Sequence, residues 1–189
     1  MKKIIFALMF TFVSVFGFSQ TTWDVDPMHS SINFKIKHLG ISFVQGRFDN
    51  FSGKALLKGN ALEEGFMTFN VDVASINTGV EMRDKHLRSE DFFDVEKFGE
   101  MNFETTSIVK EKENGYILKG KLSIKGVGKD ISVPLTVGGI TKNKEGKEIM
   151  GLQTKFTVNR LDYGIKYDPT GTGIAKEVEV NLYFEMIKQ

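Results

Sequence analysis

Alternation with a period of two, repeated in segment after segment, most limits the folds open to this chain. Ile32, Phe34 and Ile36 alternate with Asn33, Lys35 and Lys37, and Met67, Phe69 and Val71 alternate with Thr68, Asn70 and Asp72. Tyr116, Leu118, Leu122 and Ile124 share one parity, as do Ile131, Val133, Leu135 and Val137, and Met150, Leu152, Phe156 and Val158. The last segment is the clearest: Val178, Val180, Leu182, Phe184 and Met186 stand against Glu177, Glu179, Asn181 and Glu185. Successive side chains of a strand point to opposite faces, so each such segment predicts a strand with one dry and one wet face. Turn signals separate them at Gly53, Gly59-Asn60, Asn114-Gly115, Gly126, Gly138-Gly139, Asn143 with Gly146, and Gly171 with Gly173. Short strands joined by short turns predict an all-β fold of antiparallel meanders, as a sandwich or a closed barrel. Alternation by itself does not separate those two.

One stretch departs from the pattern. Thr78-Gly79-Val80-Glu81 reads as a capping box, with Thr78 at the cap, opening a short helix over Glu81 to Arg88. Ser89-Glu90-Asp91 reads as a second cap with acids in its first turn, followed by Phe92, Phe93, Val95 and Phe98. A phenylalanine-rich helical insertion thus sits between two strand-rich halves. It is too small to cover the dry face of some eight strands, whereas rolling the sheet up covers that face and removes its edges. At about eight strands the lumen is either filled by side chains or holds one small ligand. The inner parity carries Phe, Ile, Leu, Val and Met with no polar interruption in the segments above, so a cavity there would accept a hydrocarbon chain.

The chain opens Met1-Lys2-Lys3 and runs apolar from Ile4 to Phe18, which predicts a secretory leader over residues 1–19, cleaved after Ser19, ahead of one domain over residues 20–189. The apolar run is shorter than the ~20 residues that span a bilayer, and no transmembrane segment is predicted elsewhere. Losing Lys2 and Lys3 turns a formal net charge of +1 into −1, so no global field attracts nucleic acid. The chain has no cysteine, which excludes disulfides and a cysteine-borne lipid anchor. A periplasmic or secreted location follows from the leader.

Trp23-Asp24-Val25-Asp26-Pro27-Met28-His29-Ser30-Ser31-Ile32 through Gly40, continued by Gly46-Arg47-Phe48, resembles the opening of the YceI family. Thr78-Gly79 with Arg83-Asp84-Lys85-His86-Leu87-Arg88-Ser89-Glu90-Asp91-Phe92-Phe93-Asp94 looks like its central signature, with Gly99 standing where proline is usual. Leu122-Ser123-Ile124-Lys125-Gly126-Val127 with Pro134-Leu135, and Val158-Asn159-Arg160-Leu161-Asp162-Tyr163-Gly164, resemble two further blocks. The resemblance implies an eight-stranded antiparallel lipocalin-like barrel with a short helical insertion. It also implies an exported protein whose interior binds a polyisoprenoid, an isoprenoid quinone or another long amphiphile. The residues expected to line that interior are Phe34, Ile36, Phe48, Phe69, Val71, Phe92, Phe93, Leu122, Leu152, Phe156, Leu182 and Phe184.

Arg83, His86 and Arg88 fall within two turns of the predicted helix, beside Asp84 and Asp91. They form either a polar rim that holds a ligand headgroup or an ion-pair network that pins the helix to the strands. His29 and His38 are expected at the two ends of one strand as hydrogen-bonding residues, and Arg160 as a structural arginine paired to Asp162. The three histidines have no His-x-His or His-x3-His spacing, so no metal or other cofactor is expected. No nucleophile elbow, cysteine–histidine arrangement or phosphate-cradling loop is present, and the expectation is a binder, not an enzyme. The competing class is a structural or stress-related barrel with a filled core and no lipid. A homodimer is compatible with either.

Overall fold

The computed structural model describes residues 20–189; the leader expected over residues 1–19 lies outside the described residues. The strands are β1 (Gln20–Val25), β2 (Ser31–His38), β3 (Ser42–Phe48), β4 (Phe51–Lys58), β5 (Ala61–Asp72), β6 (Ile76–Asn77), β7 (Glu100–Lys112), β8 (Gly115–Ile124), β9 (Val127–Lys142), β10 (Glu148–Asn159) and β11 (Ile174–Lys188). One α-helix, α1 (Glu81–Arg88), falls between β6 and β7.

Three staves of the wall are interrupted strands. β1 and β2 lie end to end along β11, Trp23 opposite Lys188 and Ile32 opposite Leu182. A 3-10 turn at Pro27–His29 separates them, with the Asp26 carboxylate accepting the Met28 N–H. β3 and β4 run against this pair, Phe48 facing Ile32 and Ala55 facing Trp23. β5 and β6 follow, broken by a 3-10 turn at Val73–Ser75. With each interrupted pair taken as one stave, the order is an up-and-down meander of eight, and β11 closes it on both β1 and β2. The sheet is therefore a closed eight-stranded antiparallel barrel and not a sandwich. Closure buries the inward parity without a second layer and pairs the edges that an open sheet would expose.

The barrel has two unlike ends. One carries the tight turns at 59–60, 113–114 and 143–147. The other carries the β2–β3 hairpin, α1, the segment 89–99, the Lys125-Gly126 turn and the β10–β11 loop.

Several local expectations are corrected. Gly53 is not a turn: it lies inside β4, where a Cβ would collide with the ring of Phe69 and with Val25. Gly138-Gly139 is a bulge inside β9, since Gly151 pairs with Gly139 and Leu152 with Val137, which leaves Gly138 over. α1 begins and ends where the sequence placed it, but Thr78 is not its cap. Val80 is, without a side-chain cap bond. Gly79 sits at φ +74°, outside helical space, and Thr78 gives both its N–H and its hydroxyl to the buried Asp84 carboxylate. Ser89-Glu90-Asp91 opens no second helix. The Phe92 and Asp94 N–H groups both return to Ser89 O, and Asp94 at φ +51° turns the chain out of helical geometry. His29 lies in the 3-10 turn before β2, so it does not share a strand with His38.

Candidate functional site

The lumen changes character along its length. At the tight-turn end Trp23, Leu57, Met67, Met150 and Met186 are fully buried and fill it. At the α1 end the same inward parity surrounds a cavity of about 770 Å³, within the roughly 300–1,000 Å³ typical of small-molecule sites. All twelve apolar residues expected there stand on its wall: Phe34, Ile36, Phe48, Phe69, Val71, Phe92, Phe93, Leu122, Leu152, Phe156, Leu182 and Phe184. Phe69 stacks on Phe184 with centroids 5.1 Å apart, and Phe184 meets Phe51 of the core at 5.8 Å, so this cluster forms part of the floor. Phe48 bridges Phe34 at 5.6 Å and Phe93 at 6.2 Å, which ties the segment after α1 to the wall.

The sequence reading missed other wall residues. Met101 and Phe103 line the cavity from β7 and were legible by parity, since Phe103 pairs with both Phe69 and Leu122. Tyr163, Ile165 and Tyr167 line it from the β10–β11 loop, where no periodic signal exists. The inner parity is also not wholly apolar. Thr154 lines the cavity, and Thr105, buried in β7, accepts the Met67 N–H at 2.8 Å.

The three candidate headgroup residues separate. Arg83 and His86 line the mouth; Arg88 does not. Arg88 donates instead to the backbone carbonyls of Ala74 (2.8 Å) and Ile76 (3.1 Å), where the break between β5 and β6 leaves acceptors without a strand partner. Arg83 donates from Nε to Thr78 Oγ1 (2.8 Å) and from Nη2 to Thr78 O (3.0 Å), and its Nη1 has no hydrogen-bond partner among the described residues. His86 pairs through Nε2 with Asp91 at 3.0 Å, and its ring meets Phe92 and Tyr167 edge-on, both at 5.0 Å. The helix is thus anchored mostly by bonds to backbone and hydroxyl groups, with His86–Asp91 the one acid–base contact among these residues.

Arg160 is 4 % exposed and lies on the cavity wall, but Asp162 is not its partner. Its guanidinium donates to five carbonyls of the β10–β11 loop and the start of β11: Ala175 and Ile165 at 2.9 Å, Asp168 at 2.7 Å, Ile174 at 2.9 Å, and Tyr167. Burial pulls its pKa down, against which the charge of Asp168 acts. Asp168 secures the same loop from the other side. Its carboxylate accepts the Gly173 and Ile174 N–H groups at 2.8 Å, and these bonds, Ile174 foremost, with one from Thr170, lower its pKa to about 2. A loop without a ladder of its own needs such substitutes, because buried backbone groups must find partners.

On the outer wall, ligand-type atoms of Asp26, His29 and Glu185 lie within 4.8 Å of one another. Residue spacing could not have shown this group, because Glu185 comes from the far end of the chain. The 2.7 Å bond from His29 Nδ1 to Asp26 raises the imidazole pKa, and this ion pair accounts for the geometry.

An up-and-down eight-stranded barrel, packed at one end and hollow and apolar at the other, defines a small-ligand-binding class of fold. The sequence profile of the YceI-like domain matches residues 23–186, and the chain belongs to that family. It is 32 % identical to the UPF0312 protein of Vibrio campbellii, over the whole of both chains. The solved YCEI protein of Campylobacter jejuni superposes with a TM-score of 0.74 at 30 % identity, covering 82 % of this chain and 91 % of that one. A polyisoprenoid binding domain from Saccharophagus degradans, implicated in plant cell wall breakdown, superposes with a TM-score of 0.69 over 88 % of this chain and 98 % of its own. At 17 % identity that likeness concerns the fold.

Proposed function

We propose that this protein is an exported binder of one long apolar amphiphile, a polyisoprenoid, isoprenoid quinone or fatty-acid derivative, held in the hollow half of the barrel. The observation that carries this reading is the cavity of about 770 Å³, walled by apolar side chains and rimmed by Arg83 and His86. Apolar walls around a lumen of this size lack packing partners on one side, so a hydrocarbon guest supplies contacts that water does not. Each buried methylene of the guest contributes about 0.8 kcal/mol gross, or roughly 3–4 kcal/mol for a five-carbon unit, before the cost of ordering the chain. Hydrocarbon contact discriminates by length and girth, so the headgroup must be chosen at the mouth.

The decisive experiment is native mass spectrometry, with organic extraction, of protein purified from its own host. A stoichiometric lipid supports the reading; a barrel that carries none and takes up none when offered prenyl alcohols or fatty acids defeats it. An incubation that converts the lipid into a product would make the protein a catalyst. The headgroup role of Arg83 is tested by Arg83→Ala, with Arg88→Ala as the control outside the cavity. Arg83→Ala is expected to weaken a prenyl pyrophosphate by about tenfold or more, the scale of a charge-assisted hydrogen bond, and the bare prenyl alcohol by less. Equal losses for both ligands would remove Arg83 from the headgroup site. Export is tested by recovering the protein outside the cytoplasm with its first residue near Gln20.

A further inference from the structure

Six of the twelve large apolar side chains exposed on the described surface gather around one feature, the cavity mouth. Leu39 and Ile41 form the tip of the β2–β3 hairpin, and Phe43 follows on its outer face. Val80 and Met82 lead into α1, and Tyr167 belongs to the β10–β11 loop. Their exposure runs from 43 % at Tyr167 to 87 % at Ile41. Val80, Met82 and Tyr167 also line the cavity, as do His38 and Val44 at the foot of the hairpin, so the patch is continuous with the lumen. The hairpin is tied down: the Leu39 N–H donates to Gly173 O at 2.8 Å, and β2 and β3 pair without a slip down to His38 and Ser42. Soluble monomers scatter exposed apolar side chains, and a rimmed cluster marks an interaction surface.

The hairpin side of this cluster is basic. Between Asp26 and Asp49 the chain has no acid, while Lys35, Lys37 and Arg47 fall there. Lys85 on α1 and Lys166 beside Tyr167, both exposed, continue the basic rim. Of the acids at this end, Asp91 is engaged by His86 and Asp168 faces the loop amides, while Glu81, Glu90, Glu96, Asp162 and Glu177 are exposed away from the hairpin's own sequence. Lys35 is held by Glu179 at 2.9 Å and Arg47 by Asp49 at 2.5 Å. Of these five cations that leaves Lys37, Lys85 and Lys166 facing outward. Apolar tips interleaved with lysines match the two layers of a membrane interface, anionic headgroups above acyl chains.

We propose that this rim docks on an anionic lipid bilayer: Leu39, Ile41, Phe43 and Met82 enter the interface, Lys37, Lys85 and Lys166 meet headgroups, and the mouth opens onto the acyl layer. This rests on the reading that the lumen takes a lipid chain, and it supplies the route by which such a chain enters. A guest leaving a bilayer through water would expose all the apolar surface that the cavity is built to cover. A mouth seated on the membrane removes that step.

Because the chain has no cysteine, a single one can carry an environment-sensitive nitrobenzoxadiazole label. Ile41→Cys places the label on the rim, and Glu145→Cys places it in the turn at the opposite end of the barrel. Phosphatidylcholine vesicles containing phosphatidylglycerol are expected to blue-shift the label at 41 and not at 145, with the effect fading in high salt or without phosphatidylglycerol. Ile41→Asp with Phe43→Asp, both at exposed positions, should weaken vesicle binding about tenfold or more, since two large apolar side chains no longer leave water. A shift at 145 alone, equal shifts at both sites, or none overturns the proposal. So does a shift at 41 that grows with protein concentration without vesicles, which would make the rim an interface between copies. Uptake of a fluorescent fatty acid without vesicles is read in parallel: uptake without docking defeats only this proposal, and docking without uptake defeats only the cavity reading.

Discussion

The two halves of the barrel are built by the same eight staves with the same parity, yet one is solid and the other hollow. At the tight-turn end Trp23, Leu57, Met67, Met150 and Met186 meet in the middle, with Ala55 fully buried among them. At the α1 end the side chains are no smaller; Phe34, Phe69, Phe156 and Phe184 are among them. What differs is the closure. Three hairpin turns draw the strands together at one end. At the other only β2–β3 and β8–β9 are joined by hairpins; β6 stops after Asn77, β7 begins only at Glu100, and α1 with its following turns and the β10–β11 loop stands over the opening. The packed half therefore carries the stability, and the hollow half is free to carry a guest. A filled core and an open apolar lumen, alternatives when only the sequence is read, occur in one barrel.

This contrast can be broken most forcefully from the packed side. Leu57→Ala deletes a fully buried side chain and is expected to cost about 2–5 kcal/mol in denaturant unfolding. The bound lipid per folded protein should stay unchanged. A cost under about 1 kcal/mol would mean that the packed half relaxes freely and is not the stabilising region.

The opposite substitution sharpens the hollow side. Val180→Trp adds bulk to a half-buried residue of the cavity wall. In a filled core such overpacking costs about 1–3 kcal/mol or more; here the expected change in unfolding free energy is within about 1 kcal/mol, while uptake of a fluorescent fatty acid falls sharply. A full overpacking cost with uptake intact would show that the lumen is not the binding volume.

The smallest expected effect concerns the loop over the mouth. Asp168 has its pKa lowered from 3.8 to about 2 by the loop's amide and hydroxyl donors. A lowered folded-state value means a stabilising contribution that is present above pH 3.8 and is lost as the pH falls through about 2. Asp168→Asn should lower stability modestly at every pH above 3.8, where the carboxylate contributes, leave it unchanged near pH 2, and so flatten the acid limb. Denaturation midpoints in a pH series check this, and an acid limb as steep as in the parent chain would assign it to other carboxylates, Glu179 first. Glu179 is also lowered to about 2, chiefly by its bond to Lys155.

Much of this was legible because parity is local. Every cavity-wall strand residue expected from the alternation faces inward, and α1 was bounded correctly by the composition of residues 81–88. Failures came where a residue's role depends on a distant neighbour. Gly53 and Gly138-Gly139 look like turns in one dimension and are a ring seat and a bulge in three. Arg83 and Arg88 sit five residues apart on one short helix, and only their surroundings separate a mouth residue from a clamp on Ala74 and Ile76. Arg160 looked paired to the nearest acid, whereas five carbonyls of the β10–β11 loop and the first residues of β11 converge on it.

By itself the sequence determined that this chain makes two-faced strands, that those strands need one shared dry interior, and which side chains face it, because each follows from covalent geometry and nearest-neighbour alternation. Only the tertiary structure decided where that interior is full and where it is empty. Free volume is the difference between the space that eight staves enclose and the side chains they bring to it, and no single segment contains both.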